Sequence, residues 1–368
     1  MAEEPVNERQ VKKGPGAGEI LSKALELVSA GKLQDSLVLF DRAIEADPEY
    51  AESYNCKGLV LVELGRLEES FGCLETAIAL CPGNPKYWYS KSLLFRRLGM
   101  YEDEGQACLN AIKADHKYTM AWYGRARALA ALGEAQEAIV CLEKSIELEP
   151  FNADMWQYRG ACECSMGDYD HAVRSFDRAI EINPDHGKAW CGKAEVLASM
   201  GDMIGSLRCY DRASAVTPSL PDAWLGKGRL MLLAEKYEDA AGMFGKAAEV
   251  SPDLAEAWLY RGWAQELQAR AEEALESYTK ALELDPGNHT AWYMKGVLLG
   301  RMENYDAAVE CFDAAIRLAP EYVEAWYRKG LLLGMAGRRE EAAACITKAI
   351  ELDPELFERI RQEIDNNA

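Results

Sequence analysis

A tryptophan recurs every 34 residues through most of this chain, and no other feature constrains the fold as strongly. The recurring tryptophans are Trp88, Trp122, Trp156, Trp190, Trp224, Trp258, Trp292 and Trp326. Prolines recur with the same period at Pro48, Pro82, Pro150, Pro184, Pro218, Pro252, Pro286, Pro320 and Pro354, and His116 alone interrupts the series. Two unrelated residue types that stay in register in this way indicate a tandem array of 34-residue units.

We number each 34-residue unit from 1 to 34, with the tryptophan at position 4. Small residues and large residues then occupy fixed positions of the unit. Position 8 is Gly, Ala or Ser, position 27 is Ala or Ser, and position 24 is large and apolar in most units. Positions 4, 8 and 11 share one face of a first predicted helix, and positions 20, 24 and 27 share one face of a second. Small residues let two helices approach closely, and the proline at position 32 ends the second helix.

Position 15 falls between the two predicted helices and is glycine in seven units, which is typical of a helix C-terminal turn. These glycines are Gly31, Gly65, Gly99, Gly133, Gly167, Gly201 and Gly337. Three consecutive units instead have Glu235, Ala269 and Glu303 at this position.

This combination of tryptophan, small residues and proline resembles the tetratricopeptide repeat family over residues 17–356. The resemblance implies an all-α solenoid of tandem helix-turn-helix units, forming a right-handed superhelix whose concave groove is lined by the first helices. The predicted repeats are 17–50, 51–84, 85–118, 119–152, 153–186, 187–220, 221–254, 255–288, 289–322 and 323–356. We also predict a flexible N-terminal tail over 1–16 and a C-terminal capping helix over 357–368.

The net charge indicates which classes of partner are disfavoured, and the use of cysteine indicates the cellular compartment. A net charge of −20 disfavours nucleic acid and anionic membranes as main partners. The chain has no 18-residue apolar run and no recognisable signal peptide. Five of the eleven cysteines occupy position 23, where other units have small or aliphatic residues, so cysteine is used as a small hydrophobe rather than in disulfides. We therefore expect a cytoplasmic protein.

Catalytic signals are absent from the sequence. The stretch 187–194 resembles a phosphate-binding loop but ends in Ala194 and lies inside a predicted helix. Cys162 and Cys164 are two residues apart on a helix and point away from each other. The four histidines fall in different repeats or at junctions. We expect no enzymatic activity, no metal and no cofactor.

Position 7 is basic in all ten repeats, although the family usually has leucine there. The series is Lys23, Lys57, Lys91, Arg125, Arg159, Lys193, Lys227, Arg261, Lys295 and Lys329. In a structural interpretation, the aliphatic stem covers the helix pair and the cation reaches a carboxylate of the preceding unit, for which the recurring glutamates at position 29 are candidates. In a functional interpretation, the cations bind a ligand. The sequence leaves both open.

In the family, positions 2, 5, 9, 12 and 13 face the groove, and here they hold aromatic, basic and apolar residues. The candidate ligand-binding residues are Lys86, Tyr89, Arg96, Arg97, Tyr123, Arg127, Leu225, Arg229, Leu259, Trp263, Tyr293 and Tyr327. Trp263 is the only tryptophan outside position 4, so the repeat pattern does not explain it. The lysine and asparagine positions with which co-chaperone members grip a C-terminal carboxylate are not matched.

The sequence favours a non-catalytic scaffold or adaptor that binds a peptide or helical segment of another protein in its groove. Acidic residues of that ligand would meet the basic N-terminal half, and apolar residues would meet the C-terminal half. Two alternatives are a self-assembling structural repeat protein and, less favoured, an enzyme of unrecognised type. We expect a monomer rather than an oligomer.

Overall fold

A computed structural model describes residues 16–355, and these residues form twenty α-helices and no strands. The expected all-α fold is therefore confirmed. The expected N-terminal tail, except Gly16, and the expected capping helix lie outside the described residues.

The contacts divide the chain into two compact units, residues 1–184 and residues 185–368. The first unit contains α1 (Ala17–Ser29), α2 (Leu33–Ala46), α3 (Ala51–Glu63), α4 (Leu67–Leu80), α5 (Pro85–Leu98), α6 (Tyr101–Ala114), α7 (Thr119–Ala131), α8 (Ala135–Leu148), α9 (Ala153–Ser165) and α10 (Tyr169–Ile182). The second unit contains α11 (Gly187–Ser199), α12 (Met203–Val216), α13 (Pro221–Leu233), α14 (Tyr237–Val250), α15 (Ala255–Leu267), α16 (Ala271–Leu284), α17 (His289–Arg301), α18 (Tyr305–Leu318), α19 (Val323–Met335) and α20 (Arg339–Leu352).

Within each unit, every odd-numbered helix packs along the even-numbered helix that follows it, and each pair packs on the next. Odd-numbered helices also contact one another, as α5 contacts α7 in the first unit and α15 contacts α17 in the second. Each unit is thus a solenoid of helix pairs, and its odd-numbered helices form a continuous surface. We call this surface the first-helix face.

The small residue at position 8 faces the large residue at position 24 of the same repeat. A Cβ placed on Gly228 would lie 2.6 Å from the ring of Phe244, which is fully buried. Gly262 and Tyr278 show the same arrangement, with a distance of 2.7 Å. Interiors are packed too densely to absorb such an overlap, so the absence of a side chain at Gly228 and Gly262 allows these two rings to approach closely.

Repeat 3 (85–118) departs from the pattern at several positions, and these departures compensate one another. Ser92 replaces the glycine at position 8, while Cys108, fully buried, replaces the large residue at position 24. Glu104 stands at position 20 and is only 1% exposed. Its Oε1 accepts hydrogen bonds from Nε and Nη2 of Arg96, at 2.8 and 2.5 Å. The buried carboxylate is thus paired with a cation from the preceding helix.

The tryptophan and the proline of neighbouring repeats meet through a hydrogen bond. The indole Nε1 of Trp88 donates to the carbonyl oxygen of Pro82 at 2.9 Å, and Trp224 donates to Pro218 at 3.0 Å. The same bond joins Trp156, Trp258, Trp292 and Trp326 to the proline six residues earlier. Trp122 donates to His116 at 2.9 Å. Because the acceptor is a backbone oxygen, His116 serves as well as proline.

The turn between the paired helices requires a left-handed residue in every repeat. The seven glycines at position 15 have φ between 73° and 86°, and Glu235, Ala269 and Glu303 have φ of 57°, 58° and 62°. An L-residue in this conformation costs about 1–2 kcal/mol relative to the right-handed region. Three consecutive turns of the second unit therefore carry backbone strain.

We expect Ala269→Gly to stabilise the protein by about 0.5–1 kcal/mol, because relief of strain exceeds the extra flexibility of glycine in the unfolded chain. Urea-induced unfolding followed by circular dichroism measures this change. The control is Ala344→Gly at an exposed position inside α20, which should destabilise by about 1 kcal/mol. Equal destabilisation by both substitutions would contradict the strain argument.

The buried ion pair of repeat 3 yields a second prediction. Arg96→Met should destabilise the protein by about 3 kcal/mol, because it leaves the carboxylate of Glu104 buried and uncompensated. Adding Glu104→Ala should restore most of the loss, since six other repeats have alanine at this position. Arg97→Met, at the exposed neighbouring position, is the control in the same urea titration. If it costs as much as Arg96→Met, the pair has no special importance.

Candidate functional site

On the first-helix face of the second unit, positions 9 and 13 form a row of exposed side chains across four helices. The row consists of Arg229 and Leu233 on α13, Trp263 and Leu267 on α15, Val297 and Arg301 on α17, and Leu331 and Met335 on α19. Leu233 and Met335 are 67% and 71% exposed. In the first unit, position 13 holds the small or polar residues Ser29, Glu63, Arg97, Ala131 and Ser165. Leucine and methionine at position 13 are therefore confined to the second unit.

Trp263 lines an open cavity of about 520 Å³. The cavity is lined by Arg229, Leu232, Leu233, Glu235, Tyr237, Tyr260, Trp263 and Leu267. Tyr260 lies next to the indole of Trp263, with 6.3 Å between ring centres. The Tyr260 ring also stacks on Phe244, with 5.3 Å between ring centres. The indole is still 36% exposed. A rigid, partly exposed aromatic ring beside leucines is a suitable contact for an apolar side chain.

A second, smaller cavity of about 230 Å³ lies between α17 and α19. It is lined by Val297, Gly300, Arg301, Phe312, Arg328, Leu331, Leu332 and Met335. Gly300 shapes it, since a Cβ there would lie 2.6 Å from Leu332. The row thus offers two apolar depressions on one surface of the second unit.

Arginines border both depressions. Arg229 lies 5.2 Å from the centre of the Tyr260 ring and forms an ion pair with Glu256. Arg301 pairs with Glu266 at 2.7 Å. Arg328 is exposed and forms no ion pair with any described residue. Two of the three arginines beside the apolar surface, Arg229 and Arg301, are therefore already paired with carboxylates of the chain.

Several of the predicted groove residues contribute little surface. Leu225 and Leu259 are 4% and 9% exposed, because position 5 points into the core of these helix pairs. Tyr293 packs against Tyr322 and Phe312, with ring centres 5.1 and 5.9 Å away. Tyr327 is half-buried. Of the residues predicted in the second unit, Arg229 and Trp263 line the larger cavity.

In the first unit, two of the predicted cations are already paired. Lys86 pairs with Glu52 at 2.5 Å, and Arg96 is bound to Glu104. Tyr89 packs against Tyr118, with 5.8 Å between ring centres, and burial raises the pKa of its hydroxyl. Arg97 is exposed and forms no ion pair with a described residue.

The remaining two predicted residues of the first unit are in contact. The guanidinium carbon of Arg127 lies 5.7 Å from the ring centre of Tyr123 and 5.4 Å from that of Tyr158. Burial also raises the pKa of the Tyr123 hydroxyl. The structure thus brings Tyr123 and Arg127 together and adds Tyr158, which sequence analysis did not select.

Sequence analysis also missed Leu233, Leu267 and Met335, which are among the more exposed apolar residues of the second unit. The signal was available: position 13 changes from small or polar residues in the first five repeats to leucine or methionine in repeats 7, 8 and 10. Comparing the repeats at that single position would have found the row.

The basic residues at position 7 contact carboxylates at position 25 of the preceding repeat, not at position 29. Lys57 pairs with Asp41, Lys227 with Asp211 and Lys329 with Asp313, each at 2.5 Å. Lys91 and Arg159 pair with Glu75 and Glu143 in the same way. Arg261 lies over Trp258 and Lys295 over Trp292, and in both cases position 25 of the preceding repeat is uncharged.

Within residues 16–355, no group of three or more His, Cys, Asp or Glu side chains is placed to hold a metal ion. Burial raises the pKa of the Cys108 and Cys162 thiols to about 11, which keeps them protonated at neutral pH. None of the helices in this range is long and apolar enough to cross a membrane.

Three family models, each described as tetratricopeptide repeat, match this chain. One matches residues 21–85, 232–289 and 293–356, a second matches residues 153–186, and a third matches residues 119–152. Comparison with curated proteins returns no match.

Solved structures with a similar fold include a tetratricopeptide repeat protein from Parabacteroides merdae ATCC 43184, with 18% identity and a TM-score of 0.58 over 68% of this chain and 100% of that chain. A monomeric mutant of IFIT1 with Gppp-AAAA is 14% identical, with a TM-score of 0.54 over 92% of this chain and 90% of that chain. YrrB, a tetratricopeptide repeat protein with an unusual peptide-binding site, is 25% identical over 52% of this chain and 98% of its own, with a TM-score of 0.46.

The position 7 contacts give a prediction for Lys329, whose side chain is 16% exposed while that of Asp313 is 46% exposed. Lys329→Met should cost at most about 1 kcal/mol in unfolding free energy, because a pair open to water on one side is weakly stabilising. The control is Lys295→Met, where position 25 of the preceding repeat is Thr279. Urea titration measures the unfolding free energy. If Lys329→Met alone lowers it by well over about 1 kcal/mol, the ion pair stabilises the protein more than its exposure implies.

Proposed function

Since this chain belongs to the tetratricopeptide repeat family, we propose that it is a non-catalytic scaffold that binds a segment of another protein on the first-helix face of its second unit. The observation that carries the proposal is Trp263, which no packing requirement of the repeat explains and which stands in an open apolar cavity.

The energetics favour this surface as a binding site. Contiguous exposed apolar residues are costly to hydrate, and exposed tryptophans at the centre of such a surface are frequent anchors of protein complexes. Leu233, Leu267 and Met335 extend the apolar area on both sides of Trp263. Two cavities on one surface suit a segment that presents two apolar side chains.

The arginines beside the two cavities indicate which residues the ligand carries next to its apolar side chains. Arg229, Arg301 and Arg328 border the cavities, so acidic residues next to the apolar anchors are expected to strengthen the complex and speed association. Arg328 has no carboxylate partner among residues 16–355, and it is the first candidate for such a contact.

The same charges argue against other partners and activities. A chain with net charge −20 is a poor ligand for nucleic acid, so the binding of Gppp-AAAA in the IFIT1 structure is not transferred to it. The absence of a metal-binding group or an activated thiol in the described part of the chain supports a non-catalytic role. None of the eleven cysteines forms a disulfide within residues 16–355, which supports a reducing cytoplasmic setting. We propose a monomer.

The test uses peptides from a random display library that are selected for binding to the wild-type protein. Selected peptides should carry two apolar anchors and at least one acidic residue. Trp263→Ala should weaken their binding by about 2 kcal/mol, or about thirtyfold, because the central anchor of the cavity is lost. Calorimetric titration measures the dissociation constants.

The matched control is Phe151→Ala, which removes an aromatic ring that is 76% exposed in the first unit. It should leave peptide binding unchanged. If Trp263→Ala lowers the melting temperature and leaves the affinity intact, the indole only packs within the protein and the proposal fails.

A further inference from the structure

A further cavity, of about 260 Å³, lies beside the tryptophan of repeat 9 in the second unit. It is lined by Pro286 and Trp292, and by Ala314, Arg317 and Leu318 of α18. None of these five residues lines either cavity of the first-helix face. Its volume is slightly below the roughly 300 Å³ at which pockets for drug-sized ligands begin, so it suits a small molecule.

Ala314 leaves this cavity open. It stands at position 26, where seven other repeats have lysine or arginine and the remaining two have Thr76 and Asn110. In repeat 7 the ammonium group of Lys246, at the same position, lies 4.6 Å from the centre of the Trp224 ring. Alanine ends at its Cβ atom, so no long side chain from position 26 covers Trp292 in repeat 9.

Arg317 reverses the charge that other repeats have at the same edge. Position 29 is glutamate in six repeats, and in four of them this glutamate pairs with the basic residue at position 26. Arg317 is exposed, and its Nε donates to the carbonyl oxygen of Asp313 at 3.4 Å. No residue between 16 and 355 forms an ion pair with it. Repeat 9 therefore has an unpaired cation where other repeats have a closed, neutral pair.

Lys295 adds a second positive charge beside the same ring. Its Nζ lies 5.9 Å from the centre of the Trp292 ring. Position 25 of the preceding repeat, with which the position 7 cation pairs elsewhere, is the uncharged Thr279. Leu318, which is 46% exposed, adds an apolar wall. An aromatic ring, an apolar wall and two cations together favour a ligand that is flat, apolar and negatively charged.

We propose that this cavity, which we call the Trp292 site, binds a small aromatic carboxylate. The ring of the ligand packs against the indole of Trp292 and the side chain of Leu318. Its carboxylate accepts charge-assisted hydrogen bonds from the guanidinium of Arg317. The site lies outside the two cavities of the first-helix face and takes a different class of ligand, so it goes beyond the proposed function and does not depend on it.

The probe is 2-naphthoate, and the readout is the indole Nε–H resonance of Trp292 in the NMR spectrum, identified by its loss in Trp292→Phe. We expect this resonance to shift with a dissociation constant of about 1 mM or below, as is typical of a ligand of this size. The uncharged 2-naphthamide should bind about tenfold more weakly or worse, because it cannot form a charge-assisted bond with arginine.

The decisive variant is Ala314→Lys combined with Arg317→Glu. It gives repeat 9 the two residues that repeats 8 and 10 have at these positions, so it should fold as those repeats do. We expect it to lower the affinity for 2-naphthoate about tenfold or more, because lysine covers the ring and glutamate repels the carboxylate.

The matched control is the reverse exchange in repeat 8, Lys280→Ala with Glu283→Arg. It should create a second site, in which 2-naphthoate shifts the indole resonance of Trp258. If that resonance does not move, positions 26 and 29 do not form the site.

An unmoved Trp292 resonance in the wild type, equal affinities of the wild type and the Ala314→Lys, Arg317→Glu variant, or equal binding of 2-naphthamide would overturn the proposal. Tighter binding of 2-naphthyl phosphate would overturn the assignment of carboxylate. Trp263→Ala should leave the binding of 2-naphthoate unchanged, so failure of the Trp292 site and failure of the proposed function are distinguishable.

Discussion

The hydrogen bond from the position 4 indole to the backbone oxygen at position 32 is the contact on which the repeat depends. It joins the first helix of one pair to the end of the preceding pair, and bonds of 2.9–3.2 Å recur along both units. Proline ends the second helix and leaves its carbonyl available, while tryptophan brings both a donor and a large apolar ring. The two series of residues stay in register because they are the two partners of one bond.

Inside each pair, the small residue at position 8 and the large one at position 24 fix how closely the helices approach. Repeat 3 shows that the constraint applies to their sum: Ser92 is larger than glycine and Cys108 is smaller than phenylalanine. Positions 9 and 13 take no part in this packing. They are therefore free to vary, and variation there distinguishes the surfaces of the two units.

The two first-helix faces differ in the chemistry of their exposed side chains. The second unit presents Trp263, leucines and a methionine with an arginine rim, which suits apolar side chains. The first unit presents Arg127 between two tyrosines, with its Nε unsatisfied. In the second unit the equivalent Arg229 pairs with Glu256.

The sequence alone determined the helix pairs, the turn at position 15 and the small residues at positions 8 and 27 that let the helices approach closely, since these depend on local periodicity and residue size repeated many times. It also singled out Trp263 as a residue that the repeat pattern does not explain. Only the tertiary structure showed that Leu225 and Leu259 are buried, that Arg96 is held by Glu104, and that position 7 pairs with position 25. Those outcomes depend on how each helix is rotated relative to its neighbours and on how far each side chain reaches. The spacing of residues along the sequence specifies neither.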